Sequence, residues 1–324
     1  MAPFWIFLLG LLTVIGGAEL IVRGASVLAA RVGISPMVIG VTVVAIGTST
    51  PELAIAIDAA SRGSGALALG NVAGSNTLNI LFILGLVALI RPVVPPSRVI
   101  RFDLPVLVGA TALLLLLAAD GVVGRLDGVL LLTLGFLYSF VVVRAARRES
   151  IEVRIRFARE FNVPRSVIAS TGRVVRAAIG LVAGLPVVIV GADLLVDGAV
   201  AIARDLGTPE AVIGLTIVAI GTSAPELVTA IVAALRREHD LAVGNLIGSS
   251  IFNIVLILGT AALVPADGIS VGQAALWIDL SVMLGTAIVC VPVIMTGNRI
   301  SRLEGAAFVA AYLAYLSALV LTRV

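Results

Sequence analysis

Two glutamates interrupt long apolar segments of this sequence in the same way. Glu52 ends the motif GTSTPE at residues 47–52, and Glu226 ends GTSAPE at residues 221–226. In each motif a glycine weakens the helix and a proline, which has no N–H to donate, leaves a backbone carbonyl without its helical partner. A carboxylate, hydroxyl groups and free carbonyls at one point inside an apolar segment are suited to binding a cation.

A second pair of motifs contributes further oxygen atoms. GNVAGSNTLN at residues 70–79 and GNLIGSSIFN at residues 244–253 each place a serine and an asparagine four residues apart, on one helical face: Ser75 with Asn79, and Ser249 with Asn253. Their glycines favour close helix packing. Every candidate ligand is an oxygen atom rather than sulfur or imidazole, which favours hard cations such as Ca²⁺ and Na⁺, with Mg²⁺ and Mn²⁺ as further candidates.

The composition is that of a protein embedded in a lipid bilayer. Of the 324 residues, 60% are hydrophobic and 13% are charged, and the mean hydropathy is +1.18. Too few polar residues remain to cover a soluble surface, and continuous apolar runs do not alternate as barrel strands do. At ~20 residues per crossing, we predict ten helical spans at approximately 3–29, 37–60, 66–90, 103–119, 126–143, 174–203, 209–235, 240–264, 271–295 and 302–321.

The basic residues predict the orientation. All 22 are arginines, and nine lie between 144 and 176. Because basic loops favour the cytoplasmic side, the loop 144–173 is predicted to be cytoplasmic and both termini to lie outside. This arrangement puts 17 arginines inside and 4 outside, as expected for a multi-pass protein of the plasma (inner) membrane.

The chain contains an internal duplication. Residues 40–53 match 214–227 at 11 of 14 positions, and residues 70–85 match 244–259 at 9 of 16, both at an offset of 174. The same offset relates Glu19 to Asp193 and Gly24 to Gly198. Because each half contains five spans, an odd number, the second half is inverted in the membrane relative to the first. Such inversion is typical of transporters with a site between the halves. We therefore predict repeats at 1–143 and 174–324, with broken helices 2 and 7.

The charge of the two glutamates also indicates a bound cation. A carboxylate at mid-membrane costs about 2.5 kcal/mol or more unless it is paired. No arginine occurs at a comparable depth in spans 2, 3, 7 or 8. Two carboxylates without a basic partner would suit one divalent cation or several monovalent ones.

Together the motifs GTSTPE, GNVAGSNTLN, GTSAPE and GNLIGSSIFN resemble the paired repeats of the sodium/calcium exchanger family, within the cation/calcium antiporters. The resemblance covers both halves. It implies an antiporter that exports Ca²⁺ in exchange for Na⁺ by alternating access, with Glu52 and Glu226 as shared carboxylate ligands. It further implies a ligand set of Thr48, Thr222, Ser49, Ser223, Ser75, Ser249, Asn79, Asn253 and the carbonyls of Ala45 and Ala219. Some relatives, including potassium-dependent ones, carry Asp at the position of Asn253, so the resemblance disfavours potassium coupling.

Other functions stay open at this point. A proton/calcium antiporter would use the same two glutamates, and a passive cation channel would need the same carboxylates. An intramembrane hydrolase with Ser49 or Ser223 as nucleophile would lack a His or Lys base in the spans. No catalytic residue and no cofactor is expected. The expected partners are inorganic cations and the lipid bilayer, with no nucleic acid and no obligatory protein partner.

Overall fold

The computed structural model describes residues 2–32, 34–146, 171–207, 219–272, 275–297 and 299–323. Within these ranges, eight helices are long and apolar enough to cross a membrane, and a bent helix pair supplies a ninth crossing. The chain is therefore an all-α, multi-pass membrane protein. Most of the loop predicted at 144–173, and the first part of the span predicted at 209–235, lie outside the described residues.

The helices follow the predicted spans closely. They are α1 (Ala2–Val32), α2 (Pro36–Thr48), α3 (Thr50–Ser61), α4 (Gly65–Ile90), α5 (Val99–Asp120), α6 (Arg125–Ala146), α7 (Thr171–Asp205), α8 (Ala219–Thr222), α9 (Ala224–Leu235), α10 (His239–Leu263), α11 (Ser281–Gly297) and α12 (Arg302–Arg323).

The longest helices, α1 and α7, pack antiparallel at very short distance. Glycines recur every seven residues in both, at Gly10, Gly17 and Gly24 and at the positions 174 residues later, Gly184, Gly191 and Gly198. A Cβ atom on Gly17 would lie 2.7 Å from the backbone nitrogen of Val188, and one on Gly184 would lie 2.9 Å from the carbonyl oxygen of Gly17. Only glycine allows such an approach of two backbones, so α1 and α7 form one tightly packed unit.

Two short backbone links join the loops at opposite ends of the bundle. Val122–Val123 (β1) pairs antiparallel with Ile269–Ser270 (β2). At the other end, Val93 and Ile300 form an isolated bridge in which each backbone nitrogen donates to the partner's carbonyl, at 3.0 and 2.7 Å. Each link ties the loop after one helix of the first half to a loop of the second.

Wide π-helical turns occur at matching positions of the two halves. Leu78–Ile83 is π-helical within α4, and Asn253–Leu258 is π-helical within α10. Two more precede the apolar stretches of α5 and α11, at Val99–Asp103 and Ala275–Leu280. Such turns are rare and concentrate at functional sites. Those in α4 and α10 include Asn79 and Asn253.

The glycines of the GNxxGS motifs behave as predicted where their neighbours are described. A Cβ on Gly244 would lie 2.6 Å from the carbonyl oxygen of Met37, and one on Gly248 would lie 2.7 Å from that of Val41. The corresponding neighbours of Gly70 and Gly74 would be residues 211 and 215, outside the described residues, so their packing role stays a prediction.

The contact between α1 and α7 yields a test by substitution at adjacent glycines. We expect Gly17→Val to lower the melting temperature by at least about 3 °C, because overpacking costs about 1–3 kcal/mol and a helix backbone cannot move aside as a side chain can. Gly16→Val is the matched control, since a Cβ on Gly16 meets no described atom within 4 Å. The measurement is thermal unfolding of the purified proteins in detergent. Equal melting temperatures for the two variants would contradict the packing described here.

Candidate functional site

The motifs GTSTPE and GTSAPE form matching helix breaks. At Ser49 the axis turns by 44° between α2 and α3, and Ser49 (φ −82°, ψ 12°) and Ser223 (φ −95°, ψ 13°) adopt nearly the same non-helical conformation. Pro51 and Pro225 follow in the first turn of the next helix, where a missing N–H costs no hydrogen bond. Glu52 and Glu226 therefore lie in the first turns of α3 and α9, where the helix dipole favours negative charge.

Each buried carboxylate is held by the serine of the other motif. Ser49 Oγ donates a hydrogen bond to Glu226 Oε1, and Ser223 Oγ donates to Glu52 Oε1, both at 3.0 Å. Both glutamates are 1% exposed. The two halves of the chain thus exchange equivalent hydrogen bonds, and neither half can build the site by itself.

The predicted serines of α4 and α10 lie beside this pair. Ser223 Oγ is also 3.1 Å from Ser75 Oγ. Ser249 Oγ lies 3.5 Å from both Glu226 Oε1 and the carbonyl oxygen of Ala45. The structure therefore brings Ser75 and Ser249 together with the carboxylates, as the sequence predicts.

Four buried oxygen atoms of the predicted ligand residues accept no hydrogen bond from any described residue. They are Glu52 Oε2, Glu226 Oε2, Asn79 Oδ1 and Asn253 Oδ1. Leaving a buried acceptor without a partner costs about 1–3 kcal/mol. All four are oxygen atoms at matching positions of the two repeats, and carboxylate and amide oxygens are the kind of ligand that hard cations bind. The residues present therefore fit a bound Ca²⁺ or Na⁺.

The remaining predicted ligands surround this centre. Thr48 is buried, and its hydroxyl donates to the carbonyl oxygen of Val44 at 3.0 Å and lies 3.3 Å from Asn245 Oδ1. Thr222 ends α8 next to the break. Ala45 is buried within α2, and Ala219 begins α8.

Two residues of the centre were not predicted. Asn76 Nδ2 donates to the carbonyl oxygen of Ser250 at 2.9 Å, and Asn253 Nδ2 donates to Asn76 Oδ1 at 3.0 Å. Asn76 and Ser250 occupy equivalent positions of the repeat but differ in residue type, so a search for identical positions passes over them. Their polarity within an apolar helix was the available signal. The network joins α4 to α10 and holds the amide of Asn253, so that its oxygen is left for another partner.

Within the described ranges, no arginine forms an ion pair with either glutamate of the site. Glu19, Asp58 and Asp103 do pair with arginines. The same ranges contain no cluster of three or more His, Cys, Asp or Glu side chains. The site thus combines two carboxylates with neutral hydroxyl and amide groups.

Known proteins resemble this chain over nearly its whole length. It is 32% identical over 343 residues to the sodium/calcium exchanger MaX1 of Methanosarcina acetivorans, covering 97% of each chain. It is 39% identical over 286 residues to the inner membrane protein YrbG of Escherichia coli, covering 88% of this chain and 86% of YrbG.

Solved structures also resemble this chain over nearly its whole length. A structure of the sodium-calcium exchanger NCX_Mj superposes with a TM-score of 0.83 at 30% identity, covering 98% of this chain and 99% of that one. The sequence profile of the sodium/calcium exchanger protein family matches residues 2–146 and 176–321. With both halves matched and the whole fold shared, this chain belongs to the sodium/calcium exchanger family of cation/calcium antiporters.

Proposed function

We propose that this protein is a sodium/calcium antiporter that exports Ca²⁺ in exchange for Na⁺ at the site between Glu52 and Glu226. One observation carries the proposal: two buried carboxylates are each held through one oxygen by a serine of the other repeat, and the second oxygen of each accepts no hydrogen bond from any described residue. Membership of the exchanger family and the similarity to MaX1 and NCX_Mj support the choice of Ca²⁺ and Na⁺.

The two cations would use overlapping oxygen atoms. The free Oε2 atoms of the two glutamates would bind Ca²⁺, together with backbone carbonyls of Thr48 and Thr222 at the breaks. When Na⁺ replaces Ca²⁺, it would occupy flanking positions. The ligands proposed there are Ser49, Ser75, Ser223, Ser249 and the carbonyls of Ala45 and Ala219, while Asn79 and Asn253 line the centre.

We further propose ten spans arranged as two inverted five-helix repeats, with both termini outside. The antiparallel packing of α1 on α7 supports the inversion, because it places equivalent helices in opposite directions. Two contacts between loops support the assignment of each loop to a side of the membrane. β1 and β2 join two loops predicted to be outside, and Val93 and Ile300 join two loops predicted to be inside. The loop 144–173 is then cytoplasmic.

The charge of the two glutamates explains why the protein would exchange cations rather than let them leak. With both carboxylates ionised and no cation bound, the site carries two negative charges that are costly to move through an apolar environment. A bound Ca²⁺, or Na⁺ ions in its place, neutralise these charges. Only the loaded site would then allow the unit of α1 and α7 to slide and open the opposite side.

The first test is transport in vesicles. We expect an outward Na⁺ gradient to drive ⁴⁵Ca²⁺ uptake, and Glu52→Gln and Glu226→Gln each to reduce it at least about 10-fold, since hydrogen-bonding and charge interactions of about 1.5–3 kcal/mol are lost. Asp267→Asn, an exposed loop carboxylate, should leave uptake unchanged. Undiminished Na⁺-driven uptake in either glutamine variant would refute the assignment of the site.

The same vesicles distinguish the counter-ions. A pH gradient in Na⁺-free buffer should drive no uptake, and added K⁺ should not stimulate Na⁺-driven uptake. Uptake driven by the pH gradient alone would instead identify a proton/calcium antiporter. Ca²⁺ entry that needs no counter-ion at all would identify a channel.

A second test concerns the crossed serines. We expect Ser49→Ala and Ser223→Ala each to weaken Ca²⁺ binding about 10-fold or more, because a hydrogen bond to a charged group contributes about 1.5–3 kcal/mol. Calorimetric titration of the detergent-solubilised protein with Ca²⁺ measures this. Thr50→Ala is the control, because the second motif already has alanine at that position, Ala224. Unchanged Ca²⁺ affinity in both serine variants would contradict the role proposed for the two serines in holding the carboxylates.

A third test concerns orientation. Cys290 is buried and is the only cysteine, so Cys290→Ala provides a cysteine-free background. We expect a membrane-impermeant maleimide to label Ser61→Cys but not Arg237→Cys in intact cells, and to label both after permeabilisation. Both positions are exposed in helix-end turns. The reverse pattern would place the termini inside.

A further inference from the structure

An ion pair fastens the unit of α1 and α7 to the rest of the bundle. Glu19 on α1 contacts the guanidinium of Arg236, which follows the last turn of α9. Glu19 also pairs with Arg23, four residues further along α1. Arg23 belongs to the same helix as Glu19 and travels with it, whereas Arg236 belongs to the other repeat's broken span.

The repeat supplies the same charges at the opposite end. The offset of 174 relates Glu19 to Asp193 on α7 and Arg236 to Arg62 after α3. The two turns match in backbone conformation as well, since Gly63 (φ +73°) and Arg237 (φ +65°) are both left-handed. Asp193 and Arg62 are not paired in this structure. Arg62 instead bonds Asp58 within its own helix, at 2.9 Å.

Packing shows the same asymmetry as the charges. α1 lies along α9 over an extended contact, whereas the equivalent helices, α7 and α3, barely touch. By contrast, the contact between α1 and α7 is symmetric: Gly17 meets Val188, and its equivalent, Gly191, meets Val14. The asymmetry therefore lies in how this unit sits against the remaining helices.

We infer that Glu19–Arg236 and Asp193–Arg62 are two mutually exclusive ion-pair latches, each of which holds the unit of α1 and α7 in one end state of the transport cycle. The inference rests on the proposed alternating access. When the unit slides, α1 leaves α9 and α7 approaches α3. Asp193 then reaches Arg62 as Glu19 separates from Arg236. The structure described here is the state with the Glu19–Arg236 latch closed, at the end proposed to be cytoplasmic.

The two latches are unequal in strength. Arg23 adds a second cation beside Glu19, whereas its equivalent, Asp197, adds a second carboxylate beside Asp193. Arg62 must also give up its bond to Asp58 before it can reach Asp193. A further contact favours the closed end: Ser26 on α1 lies beside the buried carboxylate of Glu238, which follows α9. Its equivalents, Val200 and Ser64, cannot reproduce a hydroxyl–carboxylate contact.

Cross-linking of the full chain in vesicles tests the inference. In the Cys290→Ala background, one protein carries Glu19→Cys with Arg236→Cys, and a second carries Asp193→Cys with Arg62→Cys. A short bis-maleimide should cross-link the first pair readily and the second slowly. A protein with all four cysteines should form either cross-link but never both in one molecule. Molecules that contain both cross-links would overturn the inference.

Breaking one latch should favour the other. Adding Arg236→Gln to the Asp193→Cys, Arg62→Cys protein should raise its cross-linking rate about two- to fivefold, the effect expected of a partly exposed ion pair. Arg236→Lys should keep the original rate, and Arg237→Gln, a neighbouring arginine outside the latch, should leave it unchanged. An unchanged rate with Arg236→Gln in a monodisperse protein would overturn the inference.

Cross-linking does not depend on which ions are carried. If the wild type fails to take up Ca²⁺ under a Na⁺ gradient, the proposed function fails, whatever the cross-links show. If uptake is normal but the Arg236→Gln variant does not change the cross-linking rate, the latches fail and the proposed function stands.

Discussion

The structure depends on burying two carboxylates in an apolar interior where neither pairs with an arginine of the described ranges. Glu52 and Glu226 are almost wholly inaccessible. One oxygen of each accepts a hydrogen bond from a serine of the opposite repeat, and the other accepts none from the residues that the structure describes. An arginine between them would stabilise the fold but would leave no room for a cation. The helix breaks, the half-helix N-termini and the polar network around Asn76 each reduce the cost of this burial without neutralising it. The cation proposed to bind here would supply the remaining stabilisation, and the integrity of the centre would then depend on its ions.

The packing of α1 against α7 differs from the packing of both helices against the broken helices. α1 and α7 meet through glycines placed seven residues apart, so that their backbones touch and their relative position is fixed. Their contact with the broken helices is different in kind: it is extended for α1 on α9, slight for α7 on α3, and includes the ion pair of Glu19 with Arg236. Close backbone packing resists sliding, whereas partly exposed ion pairs contribute only about 0.2–1 kcal/mol. The unit is therefore expected to move as a whole, with its internal contacts intact.

Much of the centre could be predicted from the sequence, because duplication leaves equivalent residues at a constant offset. That offset identified the two glutamates and both signature motifs, and the structure places the motif serines beside the two carboxylates. It could not predict that Ser49 bonds Glu226 rather than Glu52, since an offset says which positions are equivalent and not which ones meet. Asn76 and Ser250 were missed because their types differ, although their positions correspond. The π-helical turns at Asn79 and Asn253 have no sequence signal of their own, because they depend on tertiary packing that a helical pattern does not record.

The amides at the centre bear on how charge moves through this protein. Asn79 and Asn253 occupy equivalent positions and are both neutral, so the described site holds two negative charges and no third. One Ca²⁺ balances these charges completely, and two Na⁺ ions balance them equally well. A third Na⁺ would leave the sodium-loaded site with a net positive charge, and each such charge is worth about 2.3 kcal/mol per 100 mV of membrane potential. With two neutral amides in the site, the number of Na⁺ ions would therefore decide whether the membrane potential contributes to the proposed Ca²⁺ export. An aspartate in place of Asn253 would add a negative charge and call for one more cation in the loaded site.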